Sequence, residues 1–293
     1  MSRAGRRVGI LGHTGRPGVR KAAQRLAAHL ESQGHEVAFD DQIASEMKRS
    51  GMSLAKLAAW CDVLVSLGGD GTALKGARAL VGREAALLPV NLGGLGFLTA
   101  AEEPELESAM RMALGGRWKT EARRPIEAAV TRRDRRVHRA LAMNDAVIKT
   151  AGGYAALHLR LQALGSDLGY LVADGIIAAS AAGSTGYSLS AGGPVVSRRL
   201  EALVVTPVCA HTLGSRSLVL ADDDRLKLRV IGTSDQAILI MDGQEPLELA
   251  AGDQVSIALA ARAVRIFENP DKPLASALQA KLGWQGSERR SLR

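Results

Sequence analysis

Residues 62–80 read Asp-Val-Leu-Val-Ser-Leu-Gly-Gly-Asp-Gly-Thr-Ala-Leu-Lys-Gly-Ala-Arg-Ala-Leu, and the chain is organised around them. Residues 63–67 form a short apolar run that is typical of a buried parallel strand. Glycines follow at positions 68, 69 and 71, and a helical pattern begins at Thr72. Because glycine has no Cβ, a strand that ends in such a turn and opens a helix lets backbone N–H groups approach an anion. The stretch therefore predicts a strand–turn–helix unit that accepts phosphate.

Asp70 lies between these glycines. A carboxylate repels phosphate, so its place in this turn predicts a chemical task, either taking a proton from a hydroxyl or acting through a metal ion. The alternative is a purely structural turn, since Gly-Asp-Gly is common in turns. Three glycines around one aspartate favour the functional interpretation. The turn is not a Walker A loop, because no Gly-Lys-Ser/Thr follows it.

Length and composition predict a soluble globular protein of two domains. The chain has 293 residues, of which 46% are hydrophobic and 23% charged, and domains usually span about 100–200 residues. A net charge of +8 raises the question of nucleic acid, but only 3% of the residues are aromatic. So few aromatic side chains offer no stacking platform for single strands. We therefore expect no nucleic-acid partner, and we interpret the arginine clusters as solvated surface: Arg3, Arg6, Arg7, Arg132, Arg133, Arg135, Arg136, Arg139, Arg289, Arg290 and Arg293.

Cysteine usage and hydropathy predict a cytoplasmic location. Cys61 and Cys209 match no metal or redox spacing and are predicted to be buried thiols. The apolar run after the basic N-terminus is too short for a signal peptide. No segment approaches the roughly 20 apolar residues of a membrane span.

The first part of the chain alternates strands with helices. Strands are predicted at 7–12, 36–39, 63–67 and 86–91, and helices at 19–33, 54–60 and 104–114. This alternation predicts a doubly wound parallel sheet, in which ligands bind at the carboxyl ends of the strands. Asp70 and Asn91 are both expected at such ends. A second glycine-rich stretch, Asn-Leu-Gly-Gly-Leu-Gly-Phe-Leu at 91–98, is too apolar for a linker and is predicted to be a packed loop on the floor of a cleft.

Short alternating segments replace the helices from about residue 119. They predict a second domain of β-sandwich type, with strands at 125–131, 137–148, 154–164, 202–207, 217–220, 225–231, 237–241 and 254–259. The final helix, predicted at 274–282, has no obvious partner in a β domain. We therefore expect it to return to the first domain, which gives domains of 1–118 with 268–293 and of 119–267.

Three polar stretches in the β domain are candidates for ligand binding. Asn144-Asp145 interrupts an apolar region, and its side chains suit either a sugar diol or an Asx turn. Residues 174–194 combine small residues, hydroxyls and the single aromatic Tyr187, a composition that lets a flat ring or a diphosphate approach the backbone. Residues 241–244, Met-Asp-Gly-Gln, are typical of a hairpin turn.

Together these residues resemble the NAD kinase family. The resemblance covers about residues 7–270 and rests on motifs in the family's order. The Gly-Gly-Asp-Gly-Thr turn at 68–72 is shared with lipid kinases of the same superfamily, whereas Gly-Ser-Thr-Gly-Tyr-Ser-Leu-Ser-Ala-Gly-Gly-Pro at 183–194 is specific. The other motifs are residues 91–98, Asn144-Asp145, Asp174-Gly175, Thr206-Pro207 with His211-Thr-Leu213, and Asp242-Gly-Gln244.

The resemblance implies phosphoryl transfer from ATP or polyphosphate, with Mg²⁺ or another divalent cation, to the 2′-hydroxyl of the adenosine ribose of NAD. It also implies an α/β domain followed by a β domain, a site in the cleft between them, and a homodimer or homotetramer. Asp70 is then the proton acceptor, and no protein side chain is assigned to the metal. The implied nucleotide-binding residues are Gly68, Gly69, Gly71, Thr72, Lys75, Asn144, Asp145, Asp174, Thr185, Gly186, Tyr187, Ser188, Leu189, Ser190 and Gln244.

The chain departs from the family pattern at three positions. Asp145 stands where the family usually has Glu, Ala182 where it has a hydroxyl, and Gly186 where it has Ala. Two alternatives remain at this point, a non-catalytic dinucleotide sensor and a lipid kinase. The retained Asp70 speaks against the sensor, and the block at 183–194 and the lack of an exposed apolar stretch speak against the lipid kinase.

Overall fold

The computed structural model describes residues 5–93, 96–152, 155–212, 214–233 and 235–282. Of the residues named above, the following lie outside the described ranges: Arg3, Gly94, Leu95, Tyr154, Leu213, Arg289, Arg290 and Arg293.

The described helices are α1 Val19–Ser32, α2 Asp41–Met47, α3 Leu54–Trp60, α4 Asp70–Leu80, α5 Leu106–Leu114, α6 Tyr187–Ser190 and α7 Leu274–Leu282. The strands are β1 Arg7–Gly12, β2 Glu36–Phe39, β3 Val63–Gly68, β4 Ala86–Asn91, β5 Ala101–Glu102, β6 Thr120–Arg123, β7 Ile126–Arg132, β8 Arg135–Ala142, β9 Asp145–Thr150, β10 Leu157–Ala163, β11 Ser166–Ala173, β12 Gly175–Ser180, β13 Leu203–Val208, β14 Leu218–Leu220, β15 Leu226–Thr233, β16 Ala237–Met241, β17 Leu247–Leu249, β18 Gln254–Leu259 and β19 Val264–Phe267.

The chain divides into two compact units. The first comprises residues 1–122 and 264–293, and the second residues 123–263. The second unit is therefore shorter at both ends than the 119–267 expected from the change in sequence texture. The reason is that β6 and β19, which flank it in the chain, are strands of the first unit's sheet.

The first unit is a doubly wound α/β fold, as the sequence predicted. Its sheet has the order β2-β1-β3-β4-β19-β6, with β5 added beside β4, and β1, β3 and β4 pair in parallel. Alternate strand residues are buried on opposite faces. One face, including Val65 and Leu88, packs in a core with residues of α1, α2 and α5, while Leu64 and Leu87 on the other face lie against Gly76 of α4.

The final helix belongs to the first unit, as predicted. Just before it, the Lys272 ammonium lies 2.6 Å from a Glu105 carboxylate oxygen and 3.5 Å from one of Glu102. Leu278 of α7 is buried. The predicted helix at 104–114 proves to be a 3₁₀ turn over Glu103–Glu105 followed by α5.

The second unit consists of two antiparallel six-stranded sheets. Their orders are β11-β10-β15-β18-β7-β8 and β14-β13-β12-β9-β16-β17. A single apolar core contains inward side chains of both, including Leu159 and Leu228 from one and Ile148 and Ile176 from the other. This arrangement is the predicted β-sandwich.

Two segments of this unit differ from the sequence prediction. Residues 137–148, expected as one strand, belong to β8 and β9, which lie in different sheets; the polar pair Asn144-Asp145 marks the crossing. The start of the stretch 174–194, for which no strand was predicted, is β12, a central strand whose six residues are all buried. Ile177 and Ala179 face a second apolar cluster that includes Val196, so this strand is covered on both faces.

The two cysteines differ in exposure. Cys61 is buried, as predicted, but Cys209 is exposed, so that prediction was wrong for the second thiol. Cys209 follows β13 with a φ of 47°, in a turn that leaves the sheet. Within the described ranges, no helix has both the length and the apolar character needed to cross a bilayer.

Candidate active site

The glycine turn of the first unit joins β3 directly to α4. Gly68 ends β3 and is paired with Asn91, the last residue of β4, so Asp70 and Asn91 follow neighbouring parallel strands at one edge of the sheet. Gly69 is extended, and its carbonyl accepts the N–H of Thr72 at 3.0 Å. The helix thus begins at Asp70, two residues before the sequence pattern indicated. Asp70 is therefore fixed in the first turn of α4.

The Asp70 carboxylate is held by the second glycine-rich loop. One of its oxygens accepts the N–H of Phe97 at 3.0 Å and the other the N–H of Leu98 at 3.1 Å. Hydrogen bonds from two consecutive backbone groups orient both oxygens at once, and they are stronger than neutral bonds because the acceptor is charged. Phe97 and Leu98 of the predicted loop therefore have a definite role within this unit, since they position the Asp70 carboxylate.

An open cavity of about 320 Å³ surrounds this carboxylate. Five of the predicted site residues line it, namely Gly69, Asp70, Gly71, Thr72 and Lys75. The remaining lining residues, which sequence reasoning missed, are Gly12, His13, Arg16 and Gln42. They lie at the end of β1 or shortly after the ends of β1 and β2. Because the carboxyl ends of parallel strands share one edge, the predicted topology contained the signal that would have found them.

In the second unit, the turn that carries Asn144 and Asp145 is held by Asp242. The Asp242 carboxylate accepts the N–H groups of Met143 at 2.8 Å, Asn144 at 2.7 Å and Asp145 at 3.2 Å. Asp242 and Gly243 have φ values of 48° and 66°, and the Gln244 N–H reaches the Met241 carbonyl. This geometry is that of the hairpin turn predicted from Asp-Gly. Sequence reasoning gave the turn but missed that its aspartate organises the neighbouring turn.

The carboxyl of Asp145 is affected by the negative charge of Asp242. The residue is buried, and desolvation, together with the charge of Asp242, raises the pKa of its carboxyl to about 6. No hydrogen bond to this carboxyl is found among the described residues. A buried carboxyl beside an ionised one holds its proton longer because the charged form is doubly disfavoured. Asp145 therefore titrates close to neutral pH.

Asn144 and Asp145 lie beside the glycine-rich block at 183–186. A methyl group on Gly183 would lie 2.0 Å from the Asn144 carbonyl oxygen, so only glycine fits there. A Cβ on Gly186 would lie 3.2 Å from the Gly183 carbonyl oxygen and 3.8 Å from both the Asn144 amide nitrogen and an Asp145 oxygen. Within the described ranges, the buried Asn144 side-chain oxygen has no hydrogen-bond partner, and such an atom favours a ligand that donates to it.

The hydroxyls of this block divide into two groups. Three of them bind inside the unit. Ser184 donates to the Ala181 carbonyl at 2.7 Å, Thr185 to the Ala182 carbonyl at 3.2 Å, and Ser188 pairs with Thr206 at 2.8 Å. These three side chains therefore stabilise the turn itself. Tyr187 and Ser190 are exposed and Leu189 is half-buried, which leaves these three side chains accessible to a ligand.

The other two predicted contacts lie on separate turns. Gln244 is exposed on the Asp242 turn. Asp174 precedes β12, whereas Asp145 is paired with Ala179 near the opposite end of that strand. Five residues of strand separate them, roughly 17 Å at 3.3–3.4 Å per residue. Asp174 instead neighbours His211, whose Nε2 is 3.8 Å from its Oδ1, and Cys209, the pKa of whose thiol it raises.

Comparisons with known proteins decide the family. Residues 8–117 match the ATP-NAD kinase N-terminal domain, and residues 143–268 match the ATP-NAD kinase C-terminal domain. The chain belongs to the NAD kinase family. Both halves of the NAD kinase pattern are thus present, in the order that the motifs indicated.

Curated NAD kinases from bacteria are similar over nearly their whole length. The NAD kinase of Geobacter metallireducens is 35% identical over 279 residues, which cover 95% of this chain and 99% of that protein. The NAD kinase of Gemmatimonas aurantiaca is 35% identical over 283 residues, 96% of each chain.

Solved structures of NAD kinase family members share the fold. Yeast NADH kinase complexed with NADH superposes with a TM-score of 0.90 at 25% identity, covering 99% of this chain and 91% of that one. An NAD kinase from Archaeoglobus fulgidus in complex with ATP superposes with a TM-score of 0.74 at 23% identity, covering 94% and 97% of the two chains. The second likeness is evidence of fold alone.

Proposed function

We propose that the protein is an NAD kinase that transfers the terminal phosphoryl group of ATP to the 2′-hydroxyl of the adenosine ribose of NAD, giving NADP. The observation that carries this proposal is Asp70, held by two backbone N–H groups at the edge of a cavity that also contains Lys75. A non-catalytic sensor has no use for a carboxylate fixed in this way.

The reaction asks little of the protein beyond positioning and charge. The ribose oxygen forms a bond to the terminal phosphorus as the bond from that phosphorus to the bridging oxygen breaks, and ADP leaves. Asp70 accepts the hydroxyl proton. Lys75 and the backbone N–H groups at the start of α4 offset charge on the phosphates. Such transfers depend mainly on holding donor and acceptor in line.

In the second unit, the residues around Asn144 are proposed to bind the dinucleotide. The buried Asn144 oxygen accepts a hydrogen bond from a ribose hydroxyl or an amide, and the ionised Asp145 carboxylate accepts a second. The accessible side chains of Tyr187, Leu189 and Ser190 line the same region, with Thr185, Gly186 and Ser188 supporting it. Gln244 supplies a further contact.

Magnesium is proposed to enter with the nucleotide. Among the described residues, no group of three or more His, Cys, Asp or Glu side chains is arranged to hold a metal ion. Mg²⁺ is usually bound by one or two carboxylates plus substrate phosphates and water, rather than by an all-protein cage. Asp70 in the cavity fits that pattern. The ion, when bound, neutralises charge on the donor's phosphates.

A homodimer or homotetramer is proposed on the family resemblance and on the position of Asp174. Asp174 and Asp145 lie at opposite ends of β12, too far apart to contact one ribose within a single chain. A second copy would supply Asp174 to a neighbouring site. Light scattering on the purified protein measures the state directly. A cytoplasmic location remains our expectation from the sequence.

A coupled assay tests the proposed reaction. Purified protein is mixed with ATP, Mg²⁺ and NAD, and NADP is read through an NADP-specific dehydrogenase. We expect NADP formation that requires all three components. Parallel wells with polyphosphate for ATP and with NADH for NAD identify the donor and acceptor. Binding of NAD in calorimetry without any NADP formation would contradict the proposal and favour a sensor.

A further inference from the structure

The cavity of the first unit contains a cation that no motif accounts for. Arg16 follows β1 in a turn where its N–H reaches the His13 carbonyl at 3.0 Å. Its guanidinium lies against the glycine turn, because a Cβ on Gly69 would be 2.7 Å from one terminal nitrogen. The side chain is half-buried, and no carboxylate pairs with it in the described part of the chain. A guanidinium beside an open cavity without a counter-ion favours an anionic ligand.

Arg16 also holds the loop that positions Asp70. Its Nη1 donates to the Gly93 carbonyl at 3.1 Å, and four residues further along the same loop the N–H groups of Phe97 and Leu98 bind the Asp70 carboxylate. Arg16 therefore holds Gly93, and Asp70 holds Phe97 and Leu98. A guanidinium has five N–H donors in a planar fork, so the bond to Gly93 leaves others for a ligand.

The cavity has the size and charge for a polyphosphate. Its volume of about 320 Å³ lies at the lower end of the range of small-molecule sites. Lys75 lines it on another side and has a long contact, 3.4 Å, with the Gln42 side-chain oxygen. Its charge also acts on the buried Asp40 nearby. Among the described lining residues, the two positive charges of Arg16 and Lys75 exceed the single negative charge of Asp70.

We propose that Arg16 binds the phosphates of the donor with the nitrogens that Gly93 does not use, and that it thereby couples donor binding to the loop that orients Asp70. This inference rests on the proposed kinase function and adds to it a donor-binding residue outside the glycine turn. The ligand chemistry is a linear triphosphate, whether it is free or part of a nucleotide.

Variants of Arg16 separate its two contacts. Arg16→Ala removes both, and we expect the KM for ATP to rise at least about tenfold, the lower range for a hydrogen bond to a charged group. The kcat should fall as well, because the loop loses its bond at Gly93, while the KM for NAD changes less than about threefold. Arg16→Lys keeps the charge but has one nitrogen, so it should recover the KM for ATP in part and leave kcat low.

Arg20→Ala is the matched control. Arg20 is exposed in the first turn of α1 and does not line the cavity. The KM for ATP and the kcat of this variant should stay within about twofold of those of the parent, as is usual for surface substitutions. An equal rise in KM for ATP in the Arg20 and Arg16 variants would reduce the effect to general charge and overturn the proposal.

Binding without turnover separates this inference from the proposed function. Inorganic tripolyphosphate is titrated into the full-length protein in a calorimeter without NAD. We expect Arg16→Ala to weaken binding at least about tenfold and Arg20→Ala to leave it unchanged. If the parent makes NADP but Arg16→Ala binds tripolyphosphate normally, the inference fails and the kinase function stands. If tripolyphosphate binding depends on Arg16 but the parent makes no NADP, the anion site stands and the kinase function fails.

Discussion

Asp70 in the first unit and Asp242 in the second are both aspartates whose oxygens accept backbone N–H groups from a different segment of the chain. Asp70 takes two such bonds and lines an open cavity. Asp242 takes three and holds a turn. The first carboxylate is thus kept available for chemistry, whereas the second fixes a neighbour, Asp145, whose own carboxyl has no such donors among the described residues. The same bonding pattern therefore produces a positioned acceptor in one unit and, in the other, a neighbouring carboxyl with a raised pKa.

Replacing Asp70 by Asn should have the largest effect. The amide is nearly the same size but is a poor proton acceptor, so we expect kcat to fall by about 10²- to 10⁴-fold, the range for a general base. The affinity for NAD, measured by calorimetry, should be largely kept. A variant with near-normal turnover would remove Asp70 from this role and end the contrast with Asp242.

The raised pKa of Asp145 should make the stability of the protein depend on pH. Its pKa is raised from 3.8 to about 6, so the stability it contributes is complete below about pH 4 and is lost as the pH rises through 6. Relative to the parent, Asp145→Asn should therefore gain roughly 2–3 kcal/mol in free energy of unfolding between pH 4 and pH 7.

Urea denaturation at a series of pH values measures this difference. Asp134→Asn, a change in an exposed turn of the same unit, is the matched control. A constant difference between Asp145→Asn and the parent from pH 4 to pH 7 would contradict the prediction.

Replacing Asp242 by Ala should have a smaller effect on stability. Three N–H groups lose their acceptor, which we expect to lower the free energy of unfolding at pH 7 by about 2 kcal/mol. Part of the loss is offset because Asp145 no longer faces a second charge. The variant should consequently show a weaker pH dependence between 4 and 6 than the parent. If the pH dependence is as strong as in the parent, burial alone raises the pKa of Asp145, and the charge of Asp242 does not.

The smallest expected effects come from replacing two serines in the block at 183–190, Ser188 and Ser190, which should differ in their contribution to stability. Ser188 is buried against Thr206, so Ser188→Ala should cost about 1 kcal/mol of stability. Ser190 is exposed, so Ser190→Ala should change stability by less than about 0.5 kcal/mol but raise the KM for NAD. Thermal denaturation and the coupled assay measure the two effects. The opposite ranking in stability would refute our division of these hydroxyls.

The sequence predicted most of the first unit because its elements are locally encoded. Strands β1, β2 and β4 and helix α3 have the predicted bounds, since each combines a clear apolar period with glycine or polar residues at its ends. It could not predict that β6 and β19 complete this sheet, because pairing across more than 140 residues leaves no local pattern. For the same reason, the sequence of residues 137–148 did not show that the chain passes there from one sheet to the other.

Site residues could be predicted where a sequence motif contains them, but not where their role depends on a contact with a distant part of the chain. Asp70, Asn144 and Asp145 stand out by residue type in an unusual place. Asp242 and Arg16 do not, because an Asp-Gly turn and an arginine after a strand are common. Their importance comes from contacts with residues far away in the sequence. Asp242 binds residues that precede it by 97 to 99 positions, and Arg16 binds a residue 77 positions further on. Only the fold brings these residues together.

The position of β19 has a consequence for how the protein is made. This strand pairs with β4, with Arg265 opposite Ala86, and lies between β4 and β6 in the sheet. A ribosome releases the chain from its N-terminus, so β1–β6 emerge while the strand that belongs among them is still unsynthesised. The second unit is continuous in the chain, so all of its strands are synthesised before β19. The first unit can complete its native sheet only after residue 267 has left the ribosome, so the unit that carries Asp70 needs chain from both sides of the second unit before its sheet is whole.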